Sequence, residues 1–206
     1  ARERIDLHLR DIAALRRFGA AQGATLAMVL LAALKLLLAR YAATQDVVVG
    51  MPVAGRHHPH ARRQVGPLIN TLVIRSRIDV SRGLQHALTE VRLAMLEALA
   101  HQDVPFDQVV QALRISRDPS RSPLFGVMFN MLNTPFTGMD LPSVKWSRVE
   151  FDKSSAQFDL QVTVDALHSR AILLEYSTDL YARDSIMRFA SQYRALLKDV
   201  AAGRHG

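Results

Sequence analysis

The sequence predicts an α/β domain in which helices pack against a mixed β-sheet. Residues 24–39 and 84–100 repeat apolar side chains at helical spacing, whereas residues 46–55 and 158–176 form short β-branched or alternating runs. Hairpin-like neighbours lie among the helices, so we expect both parallel and antiparallel strand pairs. No internal repeat and no flexible linker interrupts the chain, so we expect a single domain over residues 1–206.

The first half of the chain predicts strand, helix, helix, strand and strand, in that order. A short alternating strand around Ile5 leads into a helix that ends before Gly23. Thr25 is the expected N-cap of the most apolar segment, which repeats at helical spacing. Lys35 interrupts that segment, which falls short of the roughly 18 residues that a membrane span needs, so we expect a buried core helix. Two apolar strands follow, at residues 46–55 and 67–80.

The second half predicts an amphipathic helix, a short helix, four strands and a closing helix. Pro105 disfavours helical geometry at the residue before it, so the amphipathic helix should end before Pro105 and a short one should begin at Phe106. A turn at residues 168–170 joins the last two strands into a hairpin. The strands are expected at residues 123–132, 144–149, 158–164 and 172–176, and the closing helix at residues 186–197.

The composition excludes several classes of protein. The net charge is +7, carried by 22 arginines against 4 lysines, which favours acidic partners. The chain lacks the dense basic runs and interleaved aromatic residues of a nucleic-acid groove, so we expect no nucleic-acid partner. There is no cysteine, which excludes disulfides and thiolate metal sites and fits a reducing compartment. We therefore expect a cytoplasmic protein without a membrane partner.

Three histidines lie close together at positions 57, 58 and 60 and form the obvious candidate for a metal site. No carboxylate is near them in sequence, and Arg62 and Arg63 follow, which would repel a cation. The pattern therefore favours a solvated loop, and we expect no metal in this chain.

Asn70 and Arg75 are the polar residues of an otherwise apolar strand. A buried amide costs a few kcal/mol unless its hydrogen bonds are satisfied. Asn70 therefore either bonds to an adjacent loop or faces a substrate cavity, and the sequence alone favours neither. Arg75 either pairs with a carboxylate such as Asp79 or points into the same cavity.

The segment HQDVPFD, residues 101–107, combines an imidazole, an amide and two carboxylates. His101 follows a long helix, where its ring can cap free carbonyls and complement the helix dipole. Asp103 can accept from backbone N–H groups in the turn, and Phe106 can anchor the turn in the core. No nucleophile is evident nearby, so the residues favour a structural role. The members of this segment that we single out are His101, Gln102, Asp103, Pro105 and Phe106.

Arg117 and Arg121 flank Asp118 in an arginine-rich loop. Bidentate pairing of arginine with aspartate would lock the loop, and the alternative is capture of an anion such as phosphate. The sequence contains neither G-x-S-x-G nor the common phosphate-binding glycine motifs. No active site therefore follows from the residues by themselves.

Three segments taken together resemble the last three core motifs of condensation domains from nonribosomal peptide synthetases. They are VGPLINTLVIR (residues 65–75), HQDVPFD (101–107) and RDPSRSPL (117–124). The family usually reads I/V-G-x-F-V-N-T-x-x-x-R, H/N-Q-D-x-P-F-E and R-D-x-S-R-N-P-L. The match spans nearly the whole chain. This sequence departs from the family at four positions, Pro67, Leu68, Asp107 and Ser122.

The resemblance implies the C-terminal lobe of a domain that is about twice as long and has two lobes resembling chloramphenicol acetyltransferase. The family's catalytic motif, H-H-x-x-x-D-G, belongs to the N-terminal lobe, and Arg62 and Arg63 stand where the pair His57–His58 would need D-G. We therefore expect no catalytic residue in this chain. Asn70 and Arg75 are the expected tunnel-facing residues. The other motif positions are expected to be structural: Gly66, Thr71, His101, Gln102, Asp103, Pro105, Phe106, Arg117, Asp118, Arg121 and Pro123.

The resemblance also implies partners. They are the N-terminal lobe, an adenylation domain, and peptidyl or acyl carrier proteins that deliver phosphopantetheine arms, so no cofactor is bound directly. The implied function is amide bond formation between carrier-bound thioesters by the complete domain, with this lobe inactive alone. The alternatives are a non-catalytic carrier-docking or scaffold lobe, or an epimerising, ester-forming or acyl-transferring relative.

Overall fold

The computed structural model describes residues 1–56, 58–115, 122–132 and 155–204. Six strands and five α-helices are assigned in these ranges. The strands are β1 Arg2–Asp6, β2 Asp46–Val53, β3 Asn70–Arg77, β4 Val127–Leu132, β5 Leu160–Asp165 and β6 Ala171–Tyr176. The helices are α1 Leu9–Ala20, α2 Leu26–Ala42, α3 Gly83–Ala100, α4 Phe106–Ala112 and α5 Arg183–Ala201.

The strands form one mixed sheet in the order β1-β6-β5-β4-β2-β3. The pairs β2–β4 and β4–β5 are parallel, and the other three pairs are antiparallel. The first strand lies against the last, with Arg2 opposite Glu175. The predicted mixed sheet flanked by helices is confirmed. The strand predicted at residues 144–149 lies outside the described residues.

The core lies between the sheet and a layer formed by α1, α2, α3 and α5, which contact one another. Alternation along the strands directs one set of side chains into this core. Helix α2 is the most deeply buried element, because residues 29–34 are all fully buried and apolar. The buried core helix predicted from the apolar run is therefore confirmed. The core side chains of β2 to β5 include Val47, Val49, Ile74, Phe129, Val162 and Val164.

Local signals set the helix ends close to the predicted positions. The Thr25 side chain accepts a hydrogen bond from Met28 N at 3.3 Å and caps α2, as its residue type predicts. Helix α3 ends at Ala100 and α4 begins at Phe106, on either side of the turn that contains Pro105. Strand β3 begins at Asn70 rather than at Pro67. None of the helices in the described ranges has the length and apolar character to cross a bilayer.

The hairpin between β5 and β6 is held by Asp165, a buried carboxylate. Its oxygens accept backbone hydrogen bonds from Leu167, His168 and Ser169 at 2.9–3.2 Å. Burial opposes ionisation of Asp165, but the hydrogen bonds outweigh that effect and the pKa of this carboxyl lies below its usual range. The turn predicted at residues 168–170 is confirmed, with Arg170 in the left-handed region at φ 49°.

Candidate functional site

Asn70 joins two of the three motif segments by its side-chain amide. Its Nδ2 donates to Gln102 O at 2.9 Å and to Val104 O at 2.8 Å. Its Oδ1 accepts from Phe106 N at 3.1 Å and from Thr71 N at 2.8 Å. Both donors and the acceptor are therefore used, and these contacts support the interpretation of Asn70 as an amide bonded to an adjacent loop. Its position beside a tunnel stays a prediction.

The hydrogen bond from Phe106 N also completes the beginning of α4. The N-cap of this helix is Pro105, which provides no side-chain cap. The first N–H groups of a helix have no partner within the helix. Asn70 supplies the missing acceptor from a neighbouring strand, so one amide both fixes the turn and caps the helix. No sequence pattern between Asn70 and Phe106 predicts this hydrogen bond.

An aromatic row packs behind the turn. The rings of Phe106 and Phe125 lie 5.8 Å apart between centroids, and Phe125 and Phe158 are separated by the same distance. Gly50 of β2 lies against this row, because a Cβ built there would overlap the Phe125 ring. The predicted anchoring of the turn through Phe106 is consistent with this row. The aromatic row links α4 to the chain before β4 and to the chain before β5. Pro123 is half-buried and lies two residues before Phe125.

Arg56 orders the loop that precedes β3. Its Nη1 donates to the carbonyls of Ala61 and Gln64 at 2.7 Å, and its Nη2 donates to Gly66 O at 3.0 Å. One guanidinium therefore fixes the loop end that contains Gly66. Sequence reasoning missed this role, although an arginine directly before a polar loop was a signal for it.

The remaining turn residues differ in exposure. His101 and Asp103 are exposed, whereas Gln102 is half-buried. His101 N donates to Ala98 O at 3.2 Å at the end of α3, which places this residue at the C-cap through its backbone, and capping by its ring stays a prediction. The backbone carbonyl of Gln102, rather than its amide side chain, makes the contact with Asn70.

Arg75 pairs with Asp46 and not with Asp79. Its Nη2 lies 2.7 Å from Asp46 Oδ2, and its Nε donates to both carboxylate oxygens. The hydrogen bond from Arg75 holds the pKa of Asp46 below its usual range. Asp79 instead accepts from Ser81. The suggested Asp79 pair is wrong, because strand pairing places β2 beside Arg75, and Asp79 caps the turn after β3.

Asn70 and Arg75 do not meet in one cavity. Residues five apart in a strand point to opposite faces of the sheet. Asn70 lies on the face covered by helices, with Leu72 and Ile74, whereas the Arg75 side chain is 72% exposed on the other face. The alternation of β3 therefore separates the two expected tunnel residues, and Arg75 lines an open cavity of about 630 Å³ with Asp46 and Arg77.

Lys35 is a fully buried cation that sequence reasoning placed in the core helix without a role. Its Nζ donates to Val47 O at 3.1 Å, to Ile74 O at 2.6 Å and to Ser76 Oγ at 2.9 Å. Burial lowers the pKa of Lys35 to about 7, and the nearby Asp46 carboxylate opposes part of that shift. Lys35 therefore ties α2 to β2 and β3 through an ammonium group that titrates near neutrality.

Four singled-out residues lie outside the described residues. They are His57, Arg117, Asp118 and Arg121. Within the described ranges, no group of three or more histidines and carboxylates is arranged to hold a metal ion. The described arrangement has a structural role: Asn70, Arg56 and the aromatic row hold the loop before β3, the turn at residues 101–107 and the chain before β4 in fixed positions.

The chain matches the family model described as "Condensation domain" over residues 1–205. Tyrocidine synthase 3 of Brevibacillus parabrevis is 35% identical over 194 residues, which cover 93% of this chain and 3% of that protein. Surfactin synthase subunit 1 of Bacillus subtilis (strain 168) is 35% identical over 200 residues, which cover 97% of this chain and 6% of that protein. The chain thus spans a small fraction of the length of these relatives.

Solved structures share the fold. Holo-AB3403, a four-domain nonribosomal peptide synthetase bound to AMP and glycine, superimposes with a TM-score of 0.88 at 21% identity, over 100% of this chain and 17% of that chain. The first condensation domain of the calcium-dependent antibiotic synthetase, bound to a substrate analogue, gives 0.76 at 20% identity, over 100% and 45%. The X-domain in complex with OxyB, from teicoplanin biosynthesis, gives 0.82 at 23% identity, over 100% and 46%. The predicted fold class is confirmed.

Proposed function

Because this chain belongs to the condensation-domain family, we propose that it is the C-terminal lobe of a nonribosomal peptide synthetase condensation domain. The proposal rests on the share of a condensation domain that this chain covers. The family model matches residues 1–205, yet the whole chain covers 45% of a solved condensation-domain chain. A chain that matches from end to end and still accounts for about half of its relative is best explained as one of two lobes.

In the complete domain, the amine of an acceptor attacks the thioester of a donor, the new amide bond forms, and the donor's carrier thiol leaves. The imidazole that assists this attack belongs to the other lobe in the family's motif. This lobe supplies one wall of the reaction tunnel and holds the loops around it. Asn70 serves that purpose by fixing the turn at residues 101–107, and Arg56 serves it by fixing the loop around Gly66.

The charge of the chain supports a role in receiving carriers. The net charge is +7, and arginine provides most of the positive charge. Carrier domains and phosphopantetheine are acidic, and a basic surface accelerates encounter with an acidic partner at low ionic strength. We therefore include acidic carrier proteins, a neighbouring adenylation domain and the N-terminal lobe among the partners of this chain.

The test is an amide-formation assay with donor and acceptor carriers loaded as thioesters. We expect no product, by mass spectrometry of the acceptor carrier, from this chain alone, from an N-terminal lobe alone, or from carriers that lack their pantetheine arms. Adding both lobes together should give product. Turnover by the 206-residue chain alone would contradict the proposal, because the attack would then use a group within this chain.

A second candidate is a lobe that only recruits proteins. The observation in its favour is a set of exposed apolar side chains beside the Asn70 turn, where Val65, Ile69 and Val104 are 104%, 72% and 44% exposed. The structurally similar X-domain is described in complex with another protein, OxyB. Titration with an acidic carrier protein discriminates the two candidates: salt-sensitive binding that persists when reconstituted lobes form no amide favours recruitment. An H-H-x-x-x-D-G motif in the other lobe would favour amide formation over recruitment and over an epimerising, ester-forming or acyl-transferring activity.

A further inference from the structure

The sheet has a second face that the described helices do not cover, which we call the open face. Alternation directs every second side chain of each strand toward it. On β3 these side chains are Thr71, Val73, Arg75 and Arg77, and none of them is fully buried. On β5 they include Gln161 and Thr163, both half-buried. The open face is chemically mixed but only partly accessible, because the Phe125 ring lies against Gly50 on this face and Met128, Asp165 and Ala171 are buried.

Three neutral polar side chains meet in the middle of the open face. Strand register places Asn130 of β4 directly beside Thr163 of β5. Gln161 precedes Thr163 by two residues on the same face, and its Nε2 donates to Thr163 Oγ1 at 3.1 Å. All three are half-buried. We call Asn130, Gln161 and Thr163 the polar cluster.

The cluster has more hydrogen-bonding groups than partners. Within the described ranges, the Asn130 side chain makes no hydrogen bond, which leaves two N–H donors and one carbonyl acceptor. Gln161 uses one N–H and leaves its Oε1 as an acceptor, and the Thr163 hydroxyl keeps its own hydrogen as a donor. Half-buried polar groups keep access to solvent, so this surplus of donors and acceptors is available to a ligand or to water.

The unpaired donors and acceptors of the polar cluster indicate which chemical group it can bind. The surplus consists of neutral donors and acceptors side by side, and the adjacent charged pair on this face, Arg2 and Glu175, is already satisfied by a 2.7 Å ion pair. Of the two apolar neighbours, Met128 is buried and Leu173 is half-buried, so Leu173 offers contact area to methylene groups. A secondary amide presents one acceptor and one donor and matches this pattern, whereas a charged group would find no unpaired counter-charge in the cluster.

We propose that Asn130, Gln161 and Thr163 form a subsite that positions an extended chain carrying secondary amides. The amide carbonyl of the ligand accepts from Asn130 Nδ2, and its N–H donates to Gln161 Oε1. The inference rests on the proposed function, because chains of this chemistry are what that reaction handles, either as the tether of a substrate or as its peptide backbone. The shared chemistry is the secondary amide, and the experiment separates the two sources.

The experiment is a ¹H–¹⁵N titration of the complete chain, followed through the side-chain NH₂ signals of Asn130 and Gln161. One arm adds pantetheine, which has two secondary amides in a tether. A second arm adds N-acetyldiglycine methylamide, which presents a peptide backbone. A third arm adds triethylene glycol, which has similar length and no amide. We expect both NH₂ signals to shift saturably with at least one amide probe and to stay in place with the glycol.

Two variants and one control make the result specific. Asn130→Leu removes all the unpaired groups of that residue, and we expect the apparent Kd to weaken at least tenfold. Asn130→Asp keeps the shape and the acceptor but loses the donors, and it should weaken binding too, which keeps the test informative if the leucine variant folds poorly. Gln192→Leu exchanges an exposed amide of α5 for leucine and should bind as the unaltered chain does.

Each outcome either identifies the source of the amide or overturns the proposal. Shifts with pantetheine alone assign the subsite to a substrate tether, and shifts with the peptide probe alone assign it to a peptide backbone. Shifts with both probes show that the subsite binds secondary amides from either source. Unmoved NH₂ signals at millimolar probe, or equal binding by the two Asn130 variants and the unaltered chain, would overturn the proposal. Because the readout is binding, its failure leaves the amide-formation assay unaffected, and a failed assay leaves the binding result standing.

Discussion

The backbone N–H of Phe106 donates to the side-chain oxygen of Asn70 at 3.1 Å, across 36 residues of chain. The helix that begins at Phe106 is therefore capped by a strand residue rather than by its own N-cap. The Nδ2 group of the same side chain donates to the carbonyl oxygens of Gln102 and Val104. One side chain thus sets the turn conformation, the start of α4 and the distance of both from β3.

Replacing Asn70 should destabilise the chain well beyond the effect of an ordinary half-buried residue. Asn70→Ala removes four hydrogen bonds. It also leaves the Phe106 N–H at the helix start without its acceptor, so we expect a loss of about 2–4 kcal/mol in the free energy of unfolding. Urea denaturation measures it. Gln108→Ala, which removes an exposed amide from α4, is the matched control and should change stability by less than about 0.5 kcal/mol. Equal effects of the two substitutions would refute the capping role.

Lys35 should make stability rise with pH between about 7 and 10.5. Burial lowers its pKa to about 7 in the folded chain, whereas the unfolded chain keeps the ordinary value of 10.5. In that window the unfolded state binds more protons, so the free energy of unfolding increases with pH, by up to about 5 kcal/mol in total. Below pH 7 both states are protonated and this contribution no longer changes.

Lys35→Met isolates that effect. The methionine fills similar volume without a charge, so we expect higher stability at pH 7 and a flatter profile between pH 7 and 10.5. Denaturant midpoints measured across this range provide the comparison. Lys198→Met, at an exposed position of α5, should reproduce the profile of the unaltered chain. If the lysine and methionine chains gave parallel profiles, Lys35 would not be the titrating group.

Gly50 should be intolerant of any side chain because of the aromatic row. A Cβ at this position would overlap the Phe125 ring, so Gly50→Ala should destabilise the chain by about 1–3 kcal/mol. Phe125→Leu makes room at the same place. In a double-mutant cycle, Gly50→Ala should cost less in the Phe125→Leu background than in the unaltered one. Additive effects would mean that the two residues do not oppose each other across this contact.

Asp165 should stabilise the hairpin only while it is ionised. Burial would raise its pKa, but the backbone hydrogen bonds outweigh burial and depress it, so its contribution is complete above the ordinary aspartate pKa and is lost as pH falls through the folded value. Asp165→Asn should therefore cost about 1–3 kcal/mol at pH 7, and the difference should shrink below about pH 4. Thermal unfolding at several pH values tests this, with the exposed Asp179→Asn as the control that should show little difference.

Local signals were sufficient for most of the fold. The 3.6-residue period predicted α2 and α3, the two-residue period predicted β5 and β6, and Thr25 and Pro105 marked helix boundaries that the structure confirms. These features depend on residues a few positions apart, so a single sequence contains the information.

The contacts that build the site depend on strand pairing and could not be read in the same way. For Arg75 the sequence offered a carboxylate such as Asp79 or a cavity as alternatives, whereas its partner is the carboxylate of Asp46 on the adjacent strand. The contact of Asn70 with the turn at residues 101–107 likewise requires β3 to lie beside the end of α3. The three hydrogen-bond acceptors of Lys35 come from β2 and β3. A lysine in an apolar run therefore indicates an unusual buried charge, but the sequence does not predict which residues accept from it.

Strand β1 bonds along its length to β6, so residues 2–6 are matched with residues 171–175. During translation β1 has no sheet to join until the segment around Tyr176 has been synthesised. The growing chain must therefore carry an unsatisfied segment, with Ile5 exposed, while the interior helix α2 is already available to collapse. Pairings this distant along a polypeptide slow folding, so docking of β1 is expected to be among the last events, and removing residues 2–6 would leave β6 as a bare sheet edge.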